Sequence, residues 1–242
     1  MSDASITERL DALRFFQTPD HECNYLAEQE ASTVFVDPSA SLNGIVYAQL
    51  ALIGFRRSGR YIYRPRCKSC NACVPIRIAA NDFMANRSQK RTLRKNRDLT
   101  IHICDSEFQD EHYRLYERYL LSRHQNGGMD DTSPEKYKSF LTCDWIDTRF
   151  IEFRLNGKLV AVAVTDFMQD GLSALYTFFD PDLKDRSLGT FAILWQIEAA
   201  QRFNKQWVYL GYWVEESSKM SYKTRFKPYE IFSNGFWQQA ND

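Results

Sequence analysis

The chain has 242 residues, 31 Lys and Arg balanced by 31 Asp and Glu, and a mean hydropathy of -0.48. That length buries a sizeable core without disulfide staples, and no stretch approaches the run of about eighteen uncharged apolar residues that a membrane span requires. With no signal-peptide pattern in the first thirty residues, the expectation is a soluble cytoplasmic protein whose six cysteines are reduced thiols or metal ligands.

Along the chain, Ser5 or Thr7 can cap a short helix over residues 6 to 14, and Thr18-Pro19-Asp20 turns. Residues 31 to 36 read as a strand closed by Asp37-Pro38-Ser39. From Asn43, the spacing of Ile45, Tyr47, Leu50, Ala51 and Ile53 predicts a helix ending at Gly54. A strand follows at Tyr61–Tyr63, another at 74–80, a basic helix from about Ser88 to Arg97, and a strand at 99–104. Helical spacing returns from Phe108 to Leu120 and stops at the glycine-rich stretch His124 to Gly128. Thr132-Ser133-Pro134-Glu135 starts a further helix. Residues 149–155, Asn156-Gly157 and 158–168 predict a hairpin, because Asn-Gly suits the two-residue turn between paired strands. After Asp170-Gly171 comes a third strand at 172–179. A helix led by Arg186-Ser187-Leu188-Gly189, a strand at 207–214, a short helical stretch at 216–222 and a last strand at 229–232 complete the series.

Charge is divided unevenly. Residues 54–97 hold thirteen Lys or Arg against the single acid Asp82, leaving eighteen bases and thirty acids for the remainder. Cations interleaved with Tyr61, Tyr63 and Phe83 suit a phosphate backbone with unstacked bases, and Arg56, Arg57, Lys90, Arg91, Arg94 and Lys95 are the candidate RNA contacts. A solvated basic face is the plainer alternative. Within the same stretch, Cys67-x2-Cys70-x2-Cys73 places three thiols in seven residues, in a basic field expected to favour thiolate. With Cys23 as a fourth ligand the set suits zinc or an iron–sulfur cluster; reduced structural or redox-responsive thiols are the alternative. His21, His102, His112 and His124 have no spacing that pairs them with each other or with a nucleophile.

The order of strands and helices over residues 148–236 resembles the acetyltransferase-like (GNAT) superfamily, which implies an α+β fold: a mixed sheet with helices on both faces. A smaller N-terminal cysteine-containing subdomain (1–105) would precede the transferase domain (106–242). Arg186-x-x-Gly189 resembles that superfamily's pyrophosphate cradle, but Phe191 stands where a small residue is required, so CoA is not expected. Cys23-Asn-Tyr25-Leu26, the run from Gly54-Phe-Arg56-Arg57 to Tyr61-x-Tyr63-Arg-Pro65, and Cys70-x2-Cys73-x-Pro75-x-Arg77 carry a more specific resemblance. Together with Ser88-Gln89-Lys90-Arg91, Leu210-Gly211-Tyr212 and Lys219-Met220-x-Tyr222-Lys223-x2-Phe226-x-Pro228, they resemble the aminoacyl-tRNA protein transferases, in particular the short bacterial branch that transfers leucine.

The resemblance implies transfer of an amino acid from a charged tRNA to the α-amine of proteins beginning with Asp or Glu, marking them for degradation, and an iron–sulfur cluster on N-terminal cysteines. Arginine as donor is the alternative within the class; a non-catalytic RNA-binding redox sensor is the alternative outside it. The aminoacyl ester is already activated, so positioning can supply most of the rate. Asp166, Tyr176 and Tyr209 are the candidate bases or relays. Arg77 and Lys223 are the candidate cations for the acceptor carboxylate, since a bidentate arginine separates carboxylate from amide.

Overall fold

The computed structural model describes residues 10, 12–123 and 133–240. Most of the helix expected over 6–14 and the stretch containing His124, Gly127 and Gly128 lie outside the described residues.

The chain opens with β1 (Phe15–Gln17), the two-residue strands β2 (His21–Glu22) and β3 (Glu30–Ala31), and β4 (Thr33–Val36). Helix α1 (Gly44–Leu52) begins as expected, because the Asn43 side chain accepts from the backbone N–H groups of Ile45 and Val46. β5 (Arg56–Ser58) and β6 (Tyr61–Pro65) follow, and β1, β4, β6 and β5 in that order form a small antiparallel sheet. The β5–β6 turn needs glycine. Gly59 has φ +57°, and a Cβ there would lie 1.9 Å from the Ser139 carbonyl oxygen.

The remaining elements are β7 (Val74–Ala79), α2 (Arg87–Lys95), β8 (Leu99–Asp105), α3 (Asp110–Arg123), α4 (Pro134–Leu141), β9 (Asp147–Leu155), β10 (Lys158–Phe167) and β11 (Gly171–Phe179). After them come α5 (Leu188–Arg202), β12 (Trp207–Trp213), β13 (Tyr229–Ser233) and β14 (Phe236–Gln239), with 3₁₀ turns at Lys184–Arg186, Ser218–Met220 and Lys223–Arg225. The large sheet has eight strands in the order β14-β13-β7-β12-β11-β10-β9-β8. Each neighbouring pair is antiparallel except β11–β12, which the α5 crossover makes parallel. Asn156 and Gly157 both have positive φ, so the β9–β10 hairpin has the expected turn. β7 and β8 precede residue 106, so the sheet draws strands from both sides of the division anticipated there.

Period-two alternation gives the sheet two buried faces. Ala161, Ala163, Phe153, Ile76, Ile78, Val208 and Leu210 pack under α5 and α2, while Phe150, Val162, Val164 and Phe178 pack under α3 and α4. Phe191 belongs to the first core, 5.3 Å from the Phe153 ring centroid. Helix α1 and the small sheet cover the second face further along, over Met168 and Tyr209.

Candidate active site at the split strands

Strands β11 and β12 are paired only from Gly171–Trp207 to Ser173–Tyr209. Beyond that point they part, and the carbonyls of β11 on that edge lose their strand partner. Arg56 from the small sheet enters the gap: its Nη2 donates to Ala174 O at 2.7 Å and Leu175 O at 2.6 Å. The opposite strand makes room through Gly211, whose φ is +78° and whose Cβ, if present, would lie 1.5 Å from Arg56 Nη1. Tyr212 fastens the two sheets, its hydroxyl lying 2.9 Å from Gly54 O and 3.1 Å from Tyr63 O. Lys223 Nζ donates to the Tyr212 carbonyl. A small pocket at this junction is lined by Arg56, Ser173, Tyr209, Gly211, Tyr212 and Trp237, among others.

Electrostatically, Arg56 is the hub. Burial raises the phenol pKa values of Tyr25, Tyr63, Tyr212 and Tyr222, and the Arg56 charge opposes the rise at all four. The rings therefore stay neutral hydrogen-bond donors at neutral pH. Lys223 is moved the other way: burial, then repulsion from Arg56, lowers its ammonium pKa to about 7, against an opposing pull from Cys73. Residues 25, 56, 63, 73, 212, 222 and 223, scattered over two hundred positions, thus share one site.

Residues 21–91 match the N-terminal profile, and residues 111–233 the C-terminal profile, of arginine-tRNA-protein transferase. The chain belongs to this transferase family. It is 52% identical over 233 residues, 96% of either chain, to the aspartate/glutamate leucyltransferase of Alcanivorax borkumensis. To the protein of that name from Marinobacter nauticus it is 50% identical, covering 96% of this chain and 98% of the relative.

Several side chains singled out from the sequence of this transferase occupy places that revise their roles. Arg57 is wholly buried, donating from Nε to Asp166 Oδ2 at 2.7 Å, from Nη2 to Asp166 Oδ1 and Thr148 Oγ1, and from Nη1 to Gly59 O. A guanidinium so enclosed cannot reach a phosphate, and Asp166, equally buried and ion-paired, cannot serve as a base. This pair joins the small sheet to β10. Tyr176 is no relay either: its phenol sits among Tyr116, Tyr119 and Phe140, and burial drives its pKa far up. Tyr209 lines the pocket, but its hydroxyl is held by Asp170 Oδ2 at 2.5 Å.

Arg77 lies between the rings of Trp207 and Trp237, 3.5 and 4.2 Å from their centroids, and its Nε and Nη2 both reach Glu230 Oε2. It is therefore an already neutralised cation. Lys223 is at the split, though half-neutral near pH 7 rather than a fixed charge.

On α2 the outcome differs. Lys90, Arg91 and Arg94 are exposed, and Lys90 and Arg94 line an open concavity with Arg87 and Arg97. Lys95 is exposed too, but tied to Asp185 O at 2.6 Å. Arg186, the cation of the cradle-like motif, forks onto Asp98 at 2.8 Å through both Nη atoms and so pins the end of α2 to the start of α5.

Cys23, Cys67, Cys70 and Cys73 are all half-buried. The Cys73 thiol is pushed up to about 12 by burial, then by the charges of Cys67, Cys23 and Cys70, with Lys223 opposing. The four sulfurs therefore sense one another, and the surrounding bases do not lower the Cys73 pKa as expected. Backbone N–H groups of Tyr25 and Ala72 point at the sulfurs of Cys23 and Cys70 at 3.5 Å. Among the described residues no three potential ligands stand at coordinating separation. The donor chemistry suits a thiophilic ion, and the spacing has to tighten to hold one.

The signal for Arg56 lay in the sequence as one of an Arg-Arg pair on a strand, where neighbours must face opposite ways. Which one faces the gap is settled only by the sheet that covers it.

Proposed function

We propose that the chain transfers leucine from leucyl-tRNA to the N-terminal α-amine of proteins beginning with Asp or Glu, creating a degradation signal. The observation that carries this is half-identity over nearly the full length of proteins named for that activity, and the clustering of the motif residues around Arg56 supports it. The strand order, with β11 and β12 parting beside the crossover helix, fits an acetyltransferase-like scaffold with the cysteine-bearing segment as its smaller partner. Such a scaffold without a free cradle arginine suits an acyl carrier other than CoA.

At the split, the uncommitted Arg56 Nη1 would donate to the ester carbonyl oxygen as negative charge develops on it, a contribution worth about 10²–10³ in rate for one such donor. About a tenth to a sixth of an α-amine is free base at pH 7, and half-neutral Lys223 can take the ammonium proton to raise that fraction. The amine nitrogen then bonds to the carbonyl carbon, the bond to the ribose oxygen breaks, and that oxygen takes the proton the amine gives up.

Cys23, Cys67, Cys70 and Cys73 would hold an iron–sulfur cluster or zinc, supplying a cross-link between the β2–β3 segment and the entry to β7. Purified anaerobically, the protein should carry metal, and Cys70→Ser should lose it. The protein is expected to act in the cytoplasm; no helix among the described residues is long and apolar enough to cross a membrane. The deciding assay offers leucyl-tRNA and arginyl-tRNA with peptides beginning Asp, Glu, Asn or Lys. Leucine on Asp and Glu peptides alone is expected; arginine transfer, or tRNA binding without any transfer, overturns the proposal.

A further inference from the structure

The small sheet has an inner face, with Val36, Ile62 and Arg57 buried, and an outer face made by the alternate residues. On the outer face the ladder sets Phe16 opposite Phe35, Phe35 opposite Tyr63, and Tyr63 opposite Arg56. Cross-strand partners share a face, so three rings cross β1, β4 and β6 and end on the arginine that fills the split. Tyr61, two residues before Tyr63, packs edge-on against Phe35 at 6.4 Å, Phe35 and Tyr63 lie 5.9 Å apart, and Tyr63 passes the contact to Tyr212 at 5.9 Å. The outer end is open: Phe16 is 55% and Tyr61 48% exposed. Three strand spacings make the row ~14 Å long. Arg60 and Arg66, at the two ends of β6, are exposed, and neither has an ion-pair partner among the described residues.

We infer that this row is a stacking track for the unpaired 3′-terminal nucleotides of the aminoacyl-tRNA, leading the ester to Arg56. The inference rests on the proposed transfer reaction. The ester hangs on the last nucleotide, so whatever binds the tail also places the carbonyl, and the row ends at the arginine that fills the gap. Every base offers a π-face to an aromatic ring, and flanking cations meet the phosphates, which is the combination single strands require. A peptide acceptor fits less well. The row offers ring faces rather than a strand edge with free backbone groups, and it continues outward well past the point where a terminal residue would sit.

The test compares leucyl-tRNA with the same RNA shortened by its unpaired 3′ nucleotides, using wild type, the double variant Phe16→Ala/Tyr61→Ala, and Tyr61→Phe. Shortening should weaken wild-type binding about tenfold or more. The double variant should bind intact RNA about as weakly as wild type binds the shortened one, and shortening should then cost it little. Tyr61→Phe, which keeps the ring, should bind like wild type, and the salt slope should not move because no charge is removed. If the double variant does not fold, Phe16→Ala alone, on the exposed β1, is read in the same way with a smaller loss. Wild-type affinity of the alanine variants for intact RNA overturns the inference, and a raised KM for acceptor peptides at unchanged RNA affinity gives the row to the acceptor instead. These are binding readouts, so they stand or fall separately from whether leucine is the residue transferred.

Discussion

Arg56 and Arg57 are chain neighbours with opposite fates, and the difference separates scaffold from site in this molecule. Arg57 faces inward, and each of its three guanidinium nitrogens is engaged by a carboxylate, a hydroxyl or a carbonyl with no solvent contact. Arg56 faces outward into a gap between strands, with one nitrogen anchored on two carbonyls and another lying bare over a glycine. A buried ion pair in which every guanidinium nitrogen is engaged holds elements together; a cation with a spare nitrogen beside a pocket has capacity left for a ligand.

Breaking each arginine in turn should pull the two roles apart. Arg57→Ala strands a buried carboxylate and should cost about 3–5 kcal/mol of stability, read by denaturant unfolding, while a combined Arg57→Met/Asp166→Leu replacement should recover much of it. Arg56→Met should instead leave the unfolding midpoint near that of wild type and lower kcat/KM for leucyl transfer about 10²-fold. If Arg56→Met unfolds the protein as severely as Arg57→Ala, the contrast collapses.

Lys223 gives a subtler probe of the same boundary. Its folded pKa of about 7 is below the ordinary 10.5, so between those values the unfolded chain holds more protons than the folded one. Stability contributed at this position therefore rises with pH across that window. Lys223→Met, which carries no such penalty, should be more stable than wild type at pH 6–7 by a margin that narrows toward pH 10; a constant margin would mean the lysine is charged when folded. The smallest effect is expected on α2. Lys90→Ala and Arg94→Ala should each flatten the log–log salt dependence of tRNA affinity by about one unit without touching stability, and an unchanged slope would place the RNA body elsewhere.

Much of the architecture was legible because local chemistry decided it. Asn43, Ser133 and Asn156-Gly157 act as cap, cap and turn where the sequence places them, and the β9–β10–β11 succession follows from strand-like runs divided by the Asn156-Gly157 and Asp170-Gly171 turns. The small sheet was mostly hidden: its strands β1 and β5 are three residues long, too short for periodicity to register, and they pair with a segment that lies beyond the intervening β2–β3 stretch or across a tight turn. The site was legible as a set of motifs but not as an arrangement. Asp166, at the end of the hairpin strand, reads as a candidate base, and only the long-range pairing with Arg57 shows why a carboxylate is tolerated there. Arg77 looked like a free cation because its partners, Glu230, Trp207 and Trp237, lie far along the chain.

Arg56 grips main-chain oxygens of β11 rather than side chains. Substitution at Ala174 or Leu175 leaves those oxygens in place, so the anchor does not constrain which residues occupy the two positions. Their side chains turn away from the gap into the cores on the two faces of the sheet, so either core can be repacked at these positions while the arginine stays seated.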